Sequence, residues 1–598
     1  MNNSAFKYLL VIFMTISTSV TLAQTKIAFE VSFTEPQAHY VDVQMEITGN
    51  KKDKLDLKMP VWTPGSYLIR EFSKNLEGFK AVDGKGKPLV FNKTEKNTWR
   101  IQNAAIEKIK VYYRVYAFEV SVRTSFVDAS HAFISPSGMF LYLDDQIKLP
   151  ATVTINLPKG WFKISTGLDA VKGKVNTFFA PDFDVLYDSP FEIGNQDTFE
   201  FTAAGVLHQV AMFGGGNYNK ERLKKDIAKI VEEETNIFGE NPNDRYVFII
   251  HNFNAGGGGL EHLNSTVLGA TRNSYNSEPG YSNFLGLVAH EYFHLWNVKR
   301  LRPIALGPFN YDRENYTTNL WIAEGFTAYY DNLILRRAGF YSPEKYLDVL
   351  YQDLNTIENQ PGNQVQTASE SSFDAWIKFY RPNENSKNTT ISYYGKGSLI
   401  AMIMDLEILN ATKGQKKLDH VMKAMYDEYY IKLGRGYTDT EFKAMLEKVA
   451  GVSFNDIYDN YVNGTKPIEY AKYFGYAGLG INDDMYGKSL PYFGVSSALK
   501  EGKLMVTEVM RNSAAWNDGI SVNDEIISVD NARVSELEKI ITSKKVGDKV
   551  DVIISRDGLI KVLRVTLTKN PLGRLKIINL DDASADEISI RNKWLGIK

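Results

Sequence analysis

Cysteine is absent from this chain of 598 residues, which excludes disulfide bonds, thiolate catalysis and thiolate metal ligands. A tightly bound transition metal would therefore need histidine and carboxylate ligands. Histidine is also scarce, with eight residues. The net charge is only −2, so nothing indicates binding to nucleic acid or to an anionic membrane surface. No long apolar run follows the first 25 residues, and we expect no membrane span in the mature chain.

The first residues have the pattern of a secretory signal peptide. A weakly basic start is followed by an apolar stretch over residues 8–20 and by small residues ahead of Gln24. A buried first strand or a membrane anchor is the alternative, but the stretch is short for a spanning helix and contains Thr and Ser. We expect residues 1–23 to be a signal peptide and the protein to be exported, either to a periplasm or to the medium.

Changes in hydrophobic pattern along the chain predict a multidomain α+β protein, since its length exceeds what one hydrophobic core serves. Alternation with period two predicts a β-sandwich-like domain over residues 24–197. Strands and helices follow over 198–338, helices over 339–475 and β structure over 476–570. Residues 571–598 are expected to form a C-terminal tail or to pack back onto the body. The polar stretch 360–388 is predicted to be a long loop.

Residues 290–294, HEYFH, form an HExxH motif. Histidines at i and i+4 of a helix lie one turn apart on one face, so both imidazoles can bind one zinc ion. The acid between them, Glu291, is placed to accept a proton from the attacking water. We therefore predict His290 and His294 as metal ligands and Glu291 as the general base. A chance match, with odds of roughly one in a hundred by composition, is the alternative.

A third ligand is needed, and Glu324 is the candidate. It is the one acid in the apolar run 321–330, WIAEGFTAYY, where an unpaired carboxylate would be costly. Two histidines and one glutamate are a known catalytic zinc set. A buried ion pair with an arginine is the alternative. Asp331 follows seven residues later on the same face, where it can orient a ligand histidine, although a surface position explains it equally well.

A glycine-rich segment, GGGGLE at 256–261, ends on an acid. Glycines allow the close backbone approach that a substrate needs to pair with an edge strand. We predict that Gly258, Gly259 and Leu260 contact the substrate and that Glu261 binds its free α-amino group. A flexible loop followed by a solvated glutamate explains the same residues equally well.

Together these residues resemble the glycyl aminopeptidase family of the gluzincin metallopeptidases. The run 290–303, HEYFHLWNVKRLRP, and the run 60–67, PVWTPGSY, are similar to that family's motifs. The resemblance implies that Tyr394, in the YGKG at 394–397, donates to the oxyanion, with Tyr393 as the neighbouring alternative. In the amine-binding strand Leu260 and His262 stand where the relatives have Met and Asn, which leaves the role of His262 open.

The same resemblance implies the layout of the chain. A thermolysin-like catalytic domain is expected over 198–338, a helical domain that completes the cleft over 339–475, and a PDZ-like domain over 476–570. In the last of these, Phe493, Gly494 and Val495 are expected to form a carboxylate-binding loop ahead of a strand. Such a domain binds a peptide or protein segment as an added strand, and a purely structural role is the alternative.

The sequence thus predicts a zinc aminopeptidase with one Zn²⁺ per chain that acts on peptides with a free N-terminus. The resemblance implies a preference for small first residues such as glycine or alanine. One alternative is an exported zinc endopeptidase to which the PDZ-like domain brings substrates, and cleavage of N-acetylated peptides would identify it. The other is a catalytically silent peptide-binding protein, which would bind zinc without any hydrolysis. We expect no nucleic-acid partner.

Overall fold

The computed structural model describes residues 25–597. The predicted signal peptide, residues 1–23, lies outside the described residues. The predicted fold class, multidomain α+β, is confirmed: a β-rich N-terminal part is followed by a mixed part, a helical part and a C-terminal β part. Across the range that is described, no helix combines the length and the apolar character needed to cross a bilayer.

The N-terminal part is built from strands because its sequence alternates with period two, and in β2 every second side chain is buried. Its elements are β1 Lys26–Ser32, β2 Tyr40–Thr48, β3 Leu55–Lys58, β4 Leu76–Asp83, β5 Phe91–Glu95, β6 Thr98–Ile101, β7 Lys108–Tyr116, β8 Phe126–Val127, β9 Ala132–Ile134, β10 Tyr142–Leu143, β11 Ala151–Asn156, β12 Lys163–Thr166, β13 Asp169–Ala170, β14 Thr177–Ala180, α1 Phe183–Tyr187 and β15 Phe191–Gly194. A seven-stranded sheet in the order β13-β14-β11-β1-β2-β7-β4 and two four-stranded sheets share one apolar core.

The mixed part supplies most of the functional cavity. Its elements are β16 Asp197–Ala203, β17 Val206–Phe213, α2 Lys220–Phe238, β18 Arg245–Phe253, β19 Gly259–Glu261, β20 Ser265–Thr271, α3 Glu278–Phe293, α4 Leu320–Ala323 and α5 Gly325–Arg337. The five strands form one sheet in the order β16-β17-β18-β20-β19, which leaves β19 at the edge. β19 pairs antiparallel with β20, and no further strand pairs with its other side in the described chain.

The helical part closes the cavity from the opposite side. Its elements are α6 Pro343–Glu358, α7 Ala368–Phe373, α8 Ser386–Thr389, α9 Tyr393–Ala411, α10 Leu418–Met425, α11 Asp439–Ala450, α12 Asn455–Ile457 and α13 Tyr470–Gly475. The prediction of a loop over 360–388 is wrong in part, because α7 and α8 form there. A capping box explains α7: Thr367 accepts from the N–H of Glu370, whose side chain accepts from the N–H of Thr367.

The C-terminal part is β-rich and returns to the helical part at its end. Its elements are β21 Leu479–Asp483, β22 Pro491–Tyr492, β23 Val495–Lys500, β24 Lys503–Val509, α14 Ala514–Asn517, β25 Glu525–Val529, β26 Ala532–Arg533, α15 Leu537–Thr542, β27 Lys549–Arg556, β28 Leu559–Thr566, β29 Thr568–Lys569, β30 Leu575–Asn579 and α16 Ala585–Trp594. In the segment expected as a tail or as a returning segment, β30 pairs with β21, and Trp594 of α16 is fully buried, donating to the hydroxyl of Tyr329.

Candidate functional site

A cavity of about 460 Å³ opens between the edge strand β19, helices α3 and α5 and the first turn of α9. Cavities of this size are typical of small-molecule and peptide sites. Its wall contains the predicted metal ligands, the predicted base and the predicted amine-binding acid. Two further residues come from the N-terminal part, Gly65 and Arg123. The cavity therefore joins segments that are far apart in the sequence.

Helix α3 positions the two histidines. Its start is fixed by Ser277, whose hydroxyl accepts from the N–H of Gly280, with a proline in the first turn. His290 lies in the last turn, and His294 is the residue at which the helix ends. Because they are four residues apart, their rings stand on one face, with centroids separated by 4.8 Å.

Glu324 lies at the break between α4 and α5, buried and facing both histidines. Its Oε2 atom is 3.5 Å from Nε2 of His290 and 3.2 Å from Nε2 of His294. Ligand atoms bound about 2.0–2.2 Å from one ion in a near-tetrahedral arrangement stand about 3.3–3.6 Å apart. The three residues offer ligand atoms within 4.8 Å of one another, so they fit one divalent metal ion.

The far sides of both imidazoles are held by the chain. Nδ1 of His290 is 3.1 Å from a carboxylate oxygen of Asp331, and Nδ1 of His294 is 2.7 Å from the backbone oxygen of Asn297. These contacts place protons on both Nδ1 atoms and leave both Nε2 atoms able to donate electron pairs to a metal ion held with Glu324. Asp331 thus contacts the side of His290 that faces away from the metal group, where its carboxylate can orient the ring.

Negative charge dominates the cavity. The carboxylates in its wall are those of Glu261, Glu291, Glu324 and Asp331. Burial raises the pKa of Glu291 to about 7, against the opposing effect of the two histidines. Burial also acts to raise the pKa of Glu324, but His294 and His290 outweigh it and lower that pKa to about 2. Of the described residues in the wall, only Arg123 is a lysine or arginine. The balance of charge favours a bound cation.

Strand β19 lies directly against the predicted base. A Cβ atom at Gly259 would stand 2.2 Å from Oε1 of Glu291, so only glycine permits this approach. Within residues 25–597, Oε2 of Glu291 has no hydrogen-bond partner. A buried carboxylate with one oxygen left unpaired beside the predicted metal group can accept a proton from a water molecule there.

Glu261 ends β19 and is only 3% exposed. Its Oε1 atom has no hydrogen-bond partner in the described chain. Glu261, Glu291 and His294 offer atoms within 4.8 Å of one another, so the Glu261 carboxylate stands beside the metal group. Gly65 covers it from the N-terminal part: a Cβ there would lie 2.6 Å from either carboxylate oxygen.

The other residues predicted in this strand separate into two groups. Gly258 and Gly259 line the cavity. Leu260 instead packs into a small apolar cluster with side chains of β18 and β20. His262 also stays outside the cavity, with Nδ1 3.0 Å from a carboxylate oxygen of Asp188. A role for His262 in holding two parts of the chain together fits this contact.

The two candidate tyrosines occupy different environments. Tyr394 lines the cavity, and its ring stacks beside that of His290 at a centroid distance of 6.0 Å. Tyr393 is fully buried next to it, and its hydroxyl has no partner within the described residues. Both tyrosines lie in the first turn of α9, which packs closely against α5. A Cβ on Gly325 of α5 would lie 2.5 Å from the Cα of Gly397 in α9.

Gly65 and Arg123, the two cavity residues from the N-terminal part, are among the lining residues for which the sequence predicts no role. Gly65 lies in the PVWTPGSY run, which carried the family resemblance but no predicted role. Arg123 belongs to no motif, and nothing in the local sequence distinguishes it from a surface arginine. Its guanidinium donates to the backbone oxygen of Gly259 at 3.1 Å, a contact that becomes visible only when the strands are assembled.

Three family descriptions match the chain. The Peptidase M61 N-terminal domain matches residues 28–195, the M61 glycyl aminopeptidase domain matches residues 283–400, and a PDZ domain matches residues 491–567. Among solved structures, an aminopeptidase N family protein from Idiomarina loihiensis is 30% identical, covers 95% of this chain and 100% of its own, and superposes with a TM-score of 0.87.

Fold and cavity together define a peptidase. The chain belongs to the M61 glycyl aminopeptidase family, and it carries a C-terminal PDZ domain. The predicted resemblance is therefore confirmed.

More distant structures resemble the chain weakly. An M1 zinc metallopeptidase from Deinococcus radiodurans is 13% identical, covers 74% of this chain and 94% of its own, and has a TM-score of 0.48. Yeast LTA4 hydrolase is 12% identical, covers 76% of this chain and 71% of its own, and has a TM-score of 0.45. At these scores neither adds to the assignment. A comparison with curated proteins found no match.

Proposed function

We propose that this peptidase is a zinc aminopeptidase that removes the first residue of peptides with a free N-terminus. The observation that carries the proposal is the position of Glu261. A buried carboxylate with an unpaired oxygen stands beside the group His290, His294 and Glu324, at the end of an open edge strand. An anion fixed at that point suits the α-ammonium group of a substrate.

One zinc ion per chain would be held by His290, His294 and Glu324, whose donor atoms match the spacing of a zinc set. When bound, zinc supplies Lewis acidity for the scissile carbonyl and the attacking water. Asp331 and the Asn297 backbone oxygen hold the imidazoles in the required tautomer.

The remaining steps belong to side chains of this protein. Glu291 accepts a proton from the attacking water at its free oxygen and returns it to the leaving amine. The hydroxyl of Tyr394 donates to the oxyanion that develops on the scissile carbonyl. Glu261 holds the ammonium group, and Gly258 and Gly259 allow the peptide backbone to lie along β19. Tyr393, which is buried behind Tyr394, packs rather than reacts.

A preference for substrates with a small first residue is consistent with the close packing of Gly65 against Glu261. Gly65 stands so close that a Cβ on it would be 2.7 Å from Cδ1 of Leu260 and 2.6 Å from the Glu261 oxygens. The N-terminal part therefore closes directly over the end of the cavity where the first side chain would lie. Glycine and alanine need the least room there.

Export and a second binding site complete the proposal. The proposed location, a periplasm or the extracellular medium, rests on the signal-peptide pattern of residues 1–23. In the PDZ domain β23 is the last strand of its sheet, with β24 on one side, so its other edge suits a peptide or protein segment added as a strand.

The test compares alanyl-4-nitroanilide with its N-acetylated form, using wild type and Glu261→Gln. Wild type should cleave only the free-amine substrate, and a chelator should stop the reaction. Glu261→Gln should lower kcat/KM for the free amine by about 100-fold, because a charge-assisted contact is lost. Equal cleavage of the acetylated substrate would instead identify an endopeptidase. Zinc binding with no hydrolysis of either would identify a silent binding protein.

A further inference from the structure

Arg123 places a positive charge at one end of a cavity that is otherwise acidic. It lies in the connection between β7 and β8 of the N-terminal part. Nη2 donates to the backbone oxygen of Gly259 at 3.1 Å, and Nη1 is 3.7 Å from where a Cβ on Gly258 would stand. The guanidinium therefore lies against the first residue of β19 and the residue before it.

This guanidinium is not neutralised by the protein. Within the described range its Nε atom is buried without a hydrogen-bond partner, and no carboxylate forms an ion pair with it. The neighbouring arginine, Arg70, forms an ion pair with Glu119 at 3.9 Å and donates a hydrogen bond to the hydroxyl of Ser66. A partly buried guanidinium that lacks its own carboxylate suits an anionic ligand.

The distance along β19 sets the length of that ligand. Gly259 is two residues from Glu261, and an extended chain advances about 3.3 Å per residue, so the two sites are about 7 Å apart along the strand. A peptide with its ammonium group at Glu261 and its chain antiparallel to β19 reaches Arg123 at its second residue. The free carboxylate of a dipeptide would arrive there.

We propose that Arg123 binds the C-terminal carboxylate of the substrate and that the preferred substrates are dipeptides with both ends free. The proposal rests on the proposed function, because it takes the amine to lie at Glu261. A guanidinium fork matches a carboxylate in two parallel hydrogen bonds, and partial burial strengthens the attraction. A third residue would have to pass Arg123, which already occupies the outward backbone oxygen of Gly259.

The test measures kcat/KM for alanyl-alanine, its C-terminal amide and trialanine. Wild type should prefer the dipeptide acid over the amide by about 10- to 100-fold, the usual range for charge-assisted contacts, and should cleave trialanine more slowly than the dipeptide acid. Arg123→Gln should remove this preference, so that kcat/KM for the dipeptide acid falls to about the value for the amide. Arg123→Lys should recover part of it, since the charge remains without the fork. Arg70→Gln is the matched control and should act equally on acid and amide.

Calorimetry on the Glu291→Gln variant measures the same preference for acid over amide as a difference in binding affinity, without turnover. The dipeptide acid should bind about 10- to 100-fold more tightly than the amide, and Arg123→Gln should abolish the difference. Equal effects of Arg123→Gln on acid and amide, or no preference in wild type, would overturn the proposal while hydrolysis continues. If the metal-loaded chain cleaves none of these peptides but binds acid and amide as expected, the proposed function fails and the role of Arg123 stands.

Discussion

The two ends of the cavity differ in how their polar atoms are paired. At the metal end the far side of each histidine is held, by Asp331 in one case and by the Asn297 backbone oxygen in the other. At the amine end, which is lined by β19, Oε1 of Glu261 and Nε of Arg123 have no partner among the described residues. A buried polar atom without a partner costs about 1–3 kcal/mol, so this end is stabilised when a ligand with charged ends is present.

This difference indicates that the two ends of the cavity have separate functions, metal binding at one and substrate recognition at the other. Changes at the metal end should alter metal content and, through it, all activity. Changes at the amine end should alter the choice of substrate while the metal stays bound. The following variants test that separation.

Removing a metal ligand should have the largest effect. In His294→Ala the metal loses one of three protein ligands, so metal content measured by atomic absorption should fall to background and hydrolysis should become undetectable. His420→Ala, which changes an exposed histidine of α10, is the control and should keep both. Full metal content in His294→Ala would place the metal elsewhere.

Glu291→Gln should separate chemistry from metal binding. The amide keeps the size of the side chain but cannot accept the proton, so kcat should fall by about 100- to 10,000-fold. Metal content should match that of wild type. Glu278→Gln, an exposed change on the same helix, should leave kcat unaltered. A Glu291→Gln variant that loses its metal would make Glu291 a ligand rather than the base.

The neighbouring tyrosines offer a matched pair. Tyr394→Phe should lower kcat by about 100- to 1,000-fold, the usual effect of losing one oxyanion donor. Tyr393→Phe removes a hydroxyl that is buried without a partner in the described chain, and it should leave kcat nearly unchanged. Steady-state kinetics on both variants identifies which tyrosine is the oxyanion donor. A larger loss of kcat in Tyr393→Phe than in Tyr394→Phe would make Tyr393 that donor.

Asp331→Asn should have the smallest effect of this series. The histidine it contacts keeps a hydrogen-bond partner of the same shape but loses the negative charge, so zinc affinity should fall by about 10- to 100-fold. Competition with a chelating indicator measures this directly. Asp348→Asn, an exposed acid on α6, is the control. Unchanged affinity in Asp331→Asn would show that the carboxylate is dispensable for holding the histidine.

The metal end could be predicted from the sequence and the amine end only in part. HEYFH places two ligands by helix periodicity alone, and Glu324 stands out as the one acid in an apolar run. The contacts of Gly65 and Arg123 join segments that are distant along the chain, so no local pattern shows them. Whether Tyr393 or Tyr394 faces the cavity depends on the rotation of one helix turn, which sequence alone does not fix.

Two stretches outside the cavity also have structures that their composition does not predict. The polar residues 360–388 read as a loop, yet α7 forms there because Thr367 and Glu370 cap each other. The last residues gave no clear sign of their position, yet Trp594 is fully buried in the core of the helical part. In both cases the structure depends on individual side-chain partners rather than on average composition.

The most direct test is a zinc titration of the metal-free chain, followed by hydrolysis of alanyl-4-nitroanilide and its N-acetylated form. We predict that activity on the free-amine substrate rises linearly and stops at one zinc per chain, while the acetylated substrate stays intact throughout. Saturation at a different ratio, or cleavage of both substrates at equal rates, would contradict a single zinc site that works beside an amine-binding Glu261.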